Sequence, residues 1–154
     1  MIIWTSTMSI FLFRYIFKDF NADLRYIIFG SFFPILLDRI LYLFSISENL
    51  ISIGHSLFVT IALLFSLMII TKRNSILRNN ALLFSIGSFL YLALSFTWLN
   101  QEIFLYPIFS DTDDLFEISL IFKVVLNIIG LVYFFYKTKN FENLKIFIKK
   151  GQFI

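Results

Sequence analysis

The sequence contains no cysteine. That excludes disulfides, thiolate metal sites, cysteine nucleophiles and palmitoylation. It has no Asn-x-Ser/Thr sequon and no Gly-rich phosphate loop or Gly-x-Ser-x-Gly elbow. It has one histidine, so HExxH and paired-histidine metal motifs are excluded as well. Charge is scarce: Asp, Glu, Lys and Arg make up 15% of the 154 residues, against about 25% in an ordinary soluble domain. So few charges cannot cover a water-facing surface. The N-terminus lacks the basic opening of a secretory signal, because the first basic residue, Arg14, follows the first apolar run.

Apolar residues take the place of charge. They make up 59% of the chain, with 22 phenylalanines, and the mean hydropathy is +0.86. The length allows one domain. Crossing the hydrocarbon core of a bilayer takes roughly 20 apolar residues, with a range of about 17 to 25. Five runs meet or approach that length: 2–17, 26–44, 51–70, 81–99 and 118–136. The first is short and interrupted by Arg14. The expected fold is therefore an all-α integral membrane bundle of about five transmembrane helices.

The placement of basic residues predicts orientation. The net charge is +3, but the cations fall in short gaps rather than over one face. Lys18 and Arg25 separate the first two runs, and Lys72, Arg73 and Arg78 separate the third and fourth. Lys137, Lys139, Lys145, Lys149 and Lys150 lie at the end. The two other gaps, 45–50 and 100–117, hold no Lys or Arg, and the longer one carries Glu102, Asp111, Asp113, Asp114 and Glu117. Cytoplasmic loops carry the Lys and Arg excess. This alternation predicts an outside N-terminus and a cytoplasmic C-terminus, in the inner or plasma membrane of the cell. Arg14 can snorkel to the cytoplasmic interface. A nucleic-acid partner is excluded, because its basic residues would need a water-facing platform.

Residues 140–154 differ from the rest. Phe141, Leu144, Phe147 and Ile148 recur at helical spacing with lysines between them. That pattern predicts a basic amphipathic helix on anionic lipid.

An ionisable residue inside a spanning helix is costly and faces the bundle interior or a wet cavity. Gly30, Pro34 and Asp38 are spaced four apart in the second run. The Pro34 ring opposes the Gly30 carbonyl, which predicts a kink. His55, Ser56 and Thr60 line one side of the third run. Ser85, Ser88 and Ser95 do so in the fourth, and Ser119, Lys123 and Asn127 in the fifth. Such stripes predict helices packed around a shared polar interior. With the inferred topology, Asp38, His55, Lys123 and Glu102 concentrate toward the outer face.

Two readings of that cluster stand side by side. In one, Asp38 and His55 are ligands of a divalent metal, with Glu102 or the acidic loop completing the site. In the other, the charges neutralise one another: Asp38 pairs with Lys123 or Arg39 reaches Glu102, and His55 hydrogen-bonds at the interface.

The segment from Leu24 to Arg39, with its Gly30, Pro34 and Asp38, resembles a motif of the predicted membrane-bound metal-dependent hydrolases. That family includes the LexA-binding inner-membrane hydrolases. Gly54-His55-Ser56 resembles the family's Gly-His-Ser/Thr. Leu90 to Trp98, followed by Phe104 to Phe109, resembles a later pair of family motifs in the same order. The resemblance spans Leu24 to Phe109. It implies metal-assisted hydrolysis at the outer membrane face, with Asp38 and His55 as metal ligands and Glu102 as a base. The sequence departs from the pattern at several positions. Ile35 stands where the family has Asp, Tyr91 where it has His and Ser95 where it has Asp, and no His lies near Trp4 or Thr5. A non-catalytic membrane scaffold or accessory subunit, with membrane partner subunits, is the alternative expectation. A transporter ranks below both, because no inverted repeat is present.

Overall fold

The computed structural model describes residues 1–44, 53–108, 118–138 and 141–152, with backbone alone at 141 and 142. The segments 45–52 and 109–117 lie outside it, and with them Asp111, Asp113, Asp114 and Glu117 of the acidic loop. The described chain is all helical: α1 (Ile2–Phe17), α2 (Leu24–Leu43), α3 (Leu57–Ile70), α4 (Ile76–Leu94), α5 (Gln101–Phe104), α6 (Leu120–Lys137) and α7 (Phe141–Lys150). Short 3-10 turns at Ile53–His55 and Thr97–Leu99 precede α3 and α5.

Three of these helices, α2, α4 and α6, are long and apolar enough to cross a membrane. The helices α1 and α3 are apolar but shorter. At about 1.5 Å per residue, the 14 residues of α3 extend less than the hydrocarbon thickness.

Local chemistry sets the helix ends, and several differ from the hydropathy runs. Ser75 caps α4 by accepting a hydrogen bond from the Arg78 amide at 3.1 Å. The helix therefore starts at Ile76 rather than at 81. It stops at Leu94 rather than 99, because Phe96 takes a left-handed conformation (φ 60°). The Ser95 and Thr97 hydroxyls bond across that turn at 2.6 Å. Ser56 caps α3 through the Phe58 amide, which starts that helix at Leu57 instead of 51. Apolar runs mark where a helix is tolerated, whereas hydroxyl caps fix where it begins. The helix α2 runs unbroken through Pro34.

At the centre α2 packs along α4, with α1 against both, α3 against α4 and α6 against α1. Glycines set the closest approach. A Cβ on Gly87 would lie 2.9 Å from the Ile27 carbonyl carbon, and one on Gly30 would lie 2.7 Å from that of Phe84. Small residues at helix crossings are how apolar helices gain contact in lipid, where no hydrophobic force drives them together. Ser9, Ser31, Ser85 and Ser88 are fully buried beside them, and the Ser6 and Ser31 hydroxyls bond at 3.0 Å. The large apolar side chains point outward, among them Ile121, Ile128, Val132 and Phe135 on α6. A small, polar interior under a large apolar exterior inverts the soluble pattern and suits lipid.

A larger core lies at the other end of the bundle, where Ile10, Phe13, Leu24, Ile27 and Leu83 pack together with Phe147 of α7. Phe147 of the C-terminal helix is thus buried against the bundle, edge-on to Phe134, while Ile148 is exposed. Lys145, Lys149 and Lys150 remain exposed. The two helix ends cap each other. The Leu24 amide at the start of α2 donates to the Gly151 carbonyl at 2.8 Å. Arg25 donates to the Ile148 carbonyl at 2.9 Å and to the Asp23 carboxylate. Gly151 has φ +70°, and a Cβ there would run into the Asp23 carboxylate. Orphan amides of one helix and orphan carbonyls of the other are satisfied together.

Candidate functional site

Asp38 lies two turns beyond Gly30 on α2, at the end opposite α7, and is 8% exposed. The 3-10 turn Ile53–His55 packs against α2 at this level. It can do so because residue 54 is glycine: a Cβ there would overlap both the Pro34 carbonyl and the Asp38 carboxylate. The close approach lets the Gly54 amide donate to Asp38 Oδ1 at 2.5 Å. His55 Nδ1 bonds the second carboxylate oxygen, Oδ2.

The histidine is held from its other side as well. His55 Nε2 lies 3.0 Å from the Tyr91 hydroxyl on α4, and the two rings meet edge to face. Asp38, His55 and Tyr91 form one continuous chain from α2 through the turn to α4. His55 thus bonds Asp38 through Nδ1 and Tyr91 through Nε2. Ser56 anchors the following residue by donating to the Tyr106 carbonyl at 2.5 Å.

Asp38 and His55 were expected together from helix packing, and they are in direct contact. Their arrangement differs from that of two metal co-ligands. Each is the other's partner, and the remaining carboxylate oxygen and ring nitrogen are taken by Gly54 and Tyr91. Among the described residues no group of three or more His, Cys, Asp or Glu side chains could hold a metal ion. The expected charge pairs do not form either. Among the described residues the acidic side chains that contact a basic one are Asp23, with Arg25, and Asp38, with His55. Lys123 therefore does not neutralise Asp38, and Arg39 is exposed and does not reach Glu102.

Glu102 sits on α5, which packs against the same turn. Its Oε2 is buried and has no hydrogen-bond partner among the described residues, and it makes no bond to Asp38 or His55. Asn127 on α6 accepts from the Trp4 amide at 3.2 Å and so ties α6 to α1 rather than joining the site.

Tyr91 is the site residue that residue types alone do not point to, because a tyrosine in an apolar helix reads as core. The available signal was positional: it stands where the hydrolase pattern has histidine. Comparison with protein-family models, with curated proteins and with solved structures gives no match.

Proposed function

We propose that this chain is a polytopic integral membrane scaffold. In this reading the Asp38–His55–Tyr91 chain is a polar lock that fixes the non-cytoplasmic ends of α2 and α4. The observation that carries it is the saturation of the site: both Asp38 oxygens and both His55 nitrogens are bonded within the protein. A catalytic metal site keeps an open position for water or substrate. In low dielectric a fully satisfied polar network specifies one packing arrangement. Five membrane-embedded helices, an outside N-terminus, a cytoplasmic C-terminus and residence in the cell membrane complete the proposal. They rest on the alternation of basic gaps and on the outward apolar faces. The role implied is that of an accessory subunit of a larger membrane complex.

A second reading has its own observation. The His55 side chain is 25% exposed while that of Asp38 is 11% exposed. A sheltered carboxylate orienting an accessible imidazole toward a hydroxyl is an acid–base arrangement. The convergence of Asp38, His55 and position 91 from three separate hydrolase-like motifs supports it too. On this reading the site acts without the metal that the full pattern implies.

His55→Gln and Tyr91→Phe, measured for thermal stability in detergent and for hydrolysis of soluble and lipid esters, separate the two. The lock predicts that each variant loses about 1–3 kcal/mol, the cost of leaving a buried polar partner unsatisfied, with no ester cleavage that depends on His55. Cleavage by the native protein that disappears in His55→Gln, at unchanged melting temperature, would reject the lock in favour of the acid–base site.

A further inference from the structure

At the end of the bundle opposite Asp38 a cavity of about 700 Å³ opens between the C-terminal turn of α1, the 18–23 connection and the first half of α4. Asp38 is fourteen residues further along α2 from Leu24, about 21 Å at the helical rise, so the cavity is remote from the polar lock. Its lining is divided. Phe13, Leu83 and Ile86 form an apolar floor, while Asp19, Asn79 and Asn80 stand among the polar groups of its rim. Phe17 and Ile76 also line it, and they are 53% and 80% exposed. Exposed apolar side chains therefore stand at the edge of the cavity.

The rim has a definite charge preference. Its two carboxylates are Asp19 and Asp23. Asp23 is engaged by Arg25 through both oxygens. Asp19 uses Oδ1 to accept the Asn21 amide at 2.9 Å, and Oδ2 is bonded to nothing among the described residues. Asn79 and Asn80 add amide acceptors. An apolar floor, exposed apolar side chains at the edge, and an acidic and amide rim match three parts of one molecule. These are an acyl chain, its route of entry and a primary ammonium.

We propose that this groove binds one phospholipid with a primary-amine headgroup, its ammonium on Asp19 and the rim amides and an acyl chain along Phe13, Leu83 and Ile86. The volume falls within the roughly 300–1,000 Å³ typical of ligand pockets, enough for a headgroup and the upper part of a chain. A quaternary amine has no N–H to donate to the rim, and a glycerol headgroup brings hydroxyls but no cation to Asp19, so the site discriminates by headgroup. The inference rests on the reading that α1 and α4 are embedded in a bilayer.

The test uses full-length protein, purified in mild detergent, stripped of lipid and titrated in native mass spectrometry. The probes are phosphatidylethanolamine, phosphatidylcholine and phosphatidylglycerol with identical acyl chains. Alkaline carbonate extraction of the source membranes, done first, checks bilayer embedding independently. Failure of extraction resistance would reject the membrane reading, whereas failure of the titration alone rejects the lipid site. The expected result is one retained phosphatidylethanolamine per chain, preferred at least about threefold over the other two, the scale of a partly exposed charge pair. Asp19→Asn keeps the acceptor for the Asn21 amide while removing the charge, and it abolishes the preference. Circular dichroism and elution volume check that the variant is folded. Equal retention of all three lipids by the native protein, or a preference that survives in Asp19→Asn, would overturn the proposal.

Discussion

Gly87→Ala tests the α2–α4 crossing on which the site depends. A methyl at Gly87 would lie 2.9 Å from both the carbonyl carbon and the Cα of Ile27, and closer still to the carbonyl oxygen. Ordinary contact begins near 3.4 Å, so the carbon contacts alone require the helices to part by 0.5 Å, the difference between those two distances, and the oxygen contact requires more. The obstacle is backbone, and no rotamer change relieves it. Tyr91 lies one turn further along α4, where its hydroxyl is 3.0 Å from His55 Nε2. The same displacement stretches that bond to the limit of about 3.5 Å at which it ceases to count. Overpacking costs about 1–3 kcal/mol, and replacing a helical glycine with alanine returns about 1 kcal/mol. With the overlap at the severe end, a net loss of about 2 kcal/mol follows, or a melting temperature lower by about 4–8 °C for a chain of this size. Thermal unfolding followed by circular dichroism in detergent reads it directly. Gly30→Ala acts on the same crossing, from 2.7 Å of the Phe84 carbonyl carbon. Once one methyl has separated the helices the second costs less, so the double variant loses less than the sum of the singles. Strictly additive losses, or a more stable Gly87→Ala, would show that the two glycines do not share a close crossing.

Three further outcomes are expected. The Arg25 guanidinium beside Asp23 holds that carboxyl below its usual value of 3.8. The folded pKa is depressed, so its contribution to holding α7 is complete above the ordinary carboxylate range and is lost as pH falls from there through the folded pKa. Hydrogen exchange of the α7 amides should rise across that window in the native protein, and it should already be raised at neutral pH in Arg25→Ala. Because the chain has no cysteine, single cysteines at Asp113 and Ile154 report topology by labelling with an impermeant maleimide. Position 113 should label from outside and 154 only after the membrane is opened, and labelling of both from one side would refute the five-helix arrangement. Elemental analysis of protein supplied with zinc, manganese and magnesium should find no stoichiometric metal. Metal near one per chain that vanishes in Asp38→Ala and His55→Ala would restore the metal-centre reading.

Some of this molecule was legible without its fold, for identifiable physical reasons. Scarce charge and long apolar runs required a helical membrane protein, because in lipid every backbone polar group must be satisfied within its own segment or a closed barrel. Serine and threonine stripes foretold a polar interior, and Ser56, Thr60, Ser85 and Ser88 are buried where those stripes put them, although Ser119 is exposed. The cost of burying Asp38 marked it as needing a partner. The identity of that partner was not a property of the sequence. Lysine, arginine and histidine candidates all lay at the right depth by count, and only the crossing of α2 with α4 and the glycine at 54 bring His55 within reach. The role of Tyr91 was hidden for the same reason. A phenol in an apolar helix becomes a site residue only when packing turns its hydroxyl onto an imidazole. The tail shows the same limit. Amphipathic spacing specified that Phe147 must be covered, but lipid and protein cover a phenyl ring equally well. The reciprocal capping by Arg25 and Gly151 placed it on the bundle. Composition and periodicity thus determined the class of structure and which residues needed partners, and tertiary packing decided which partners they received.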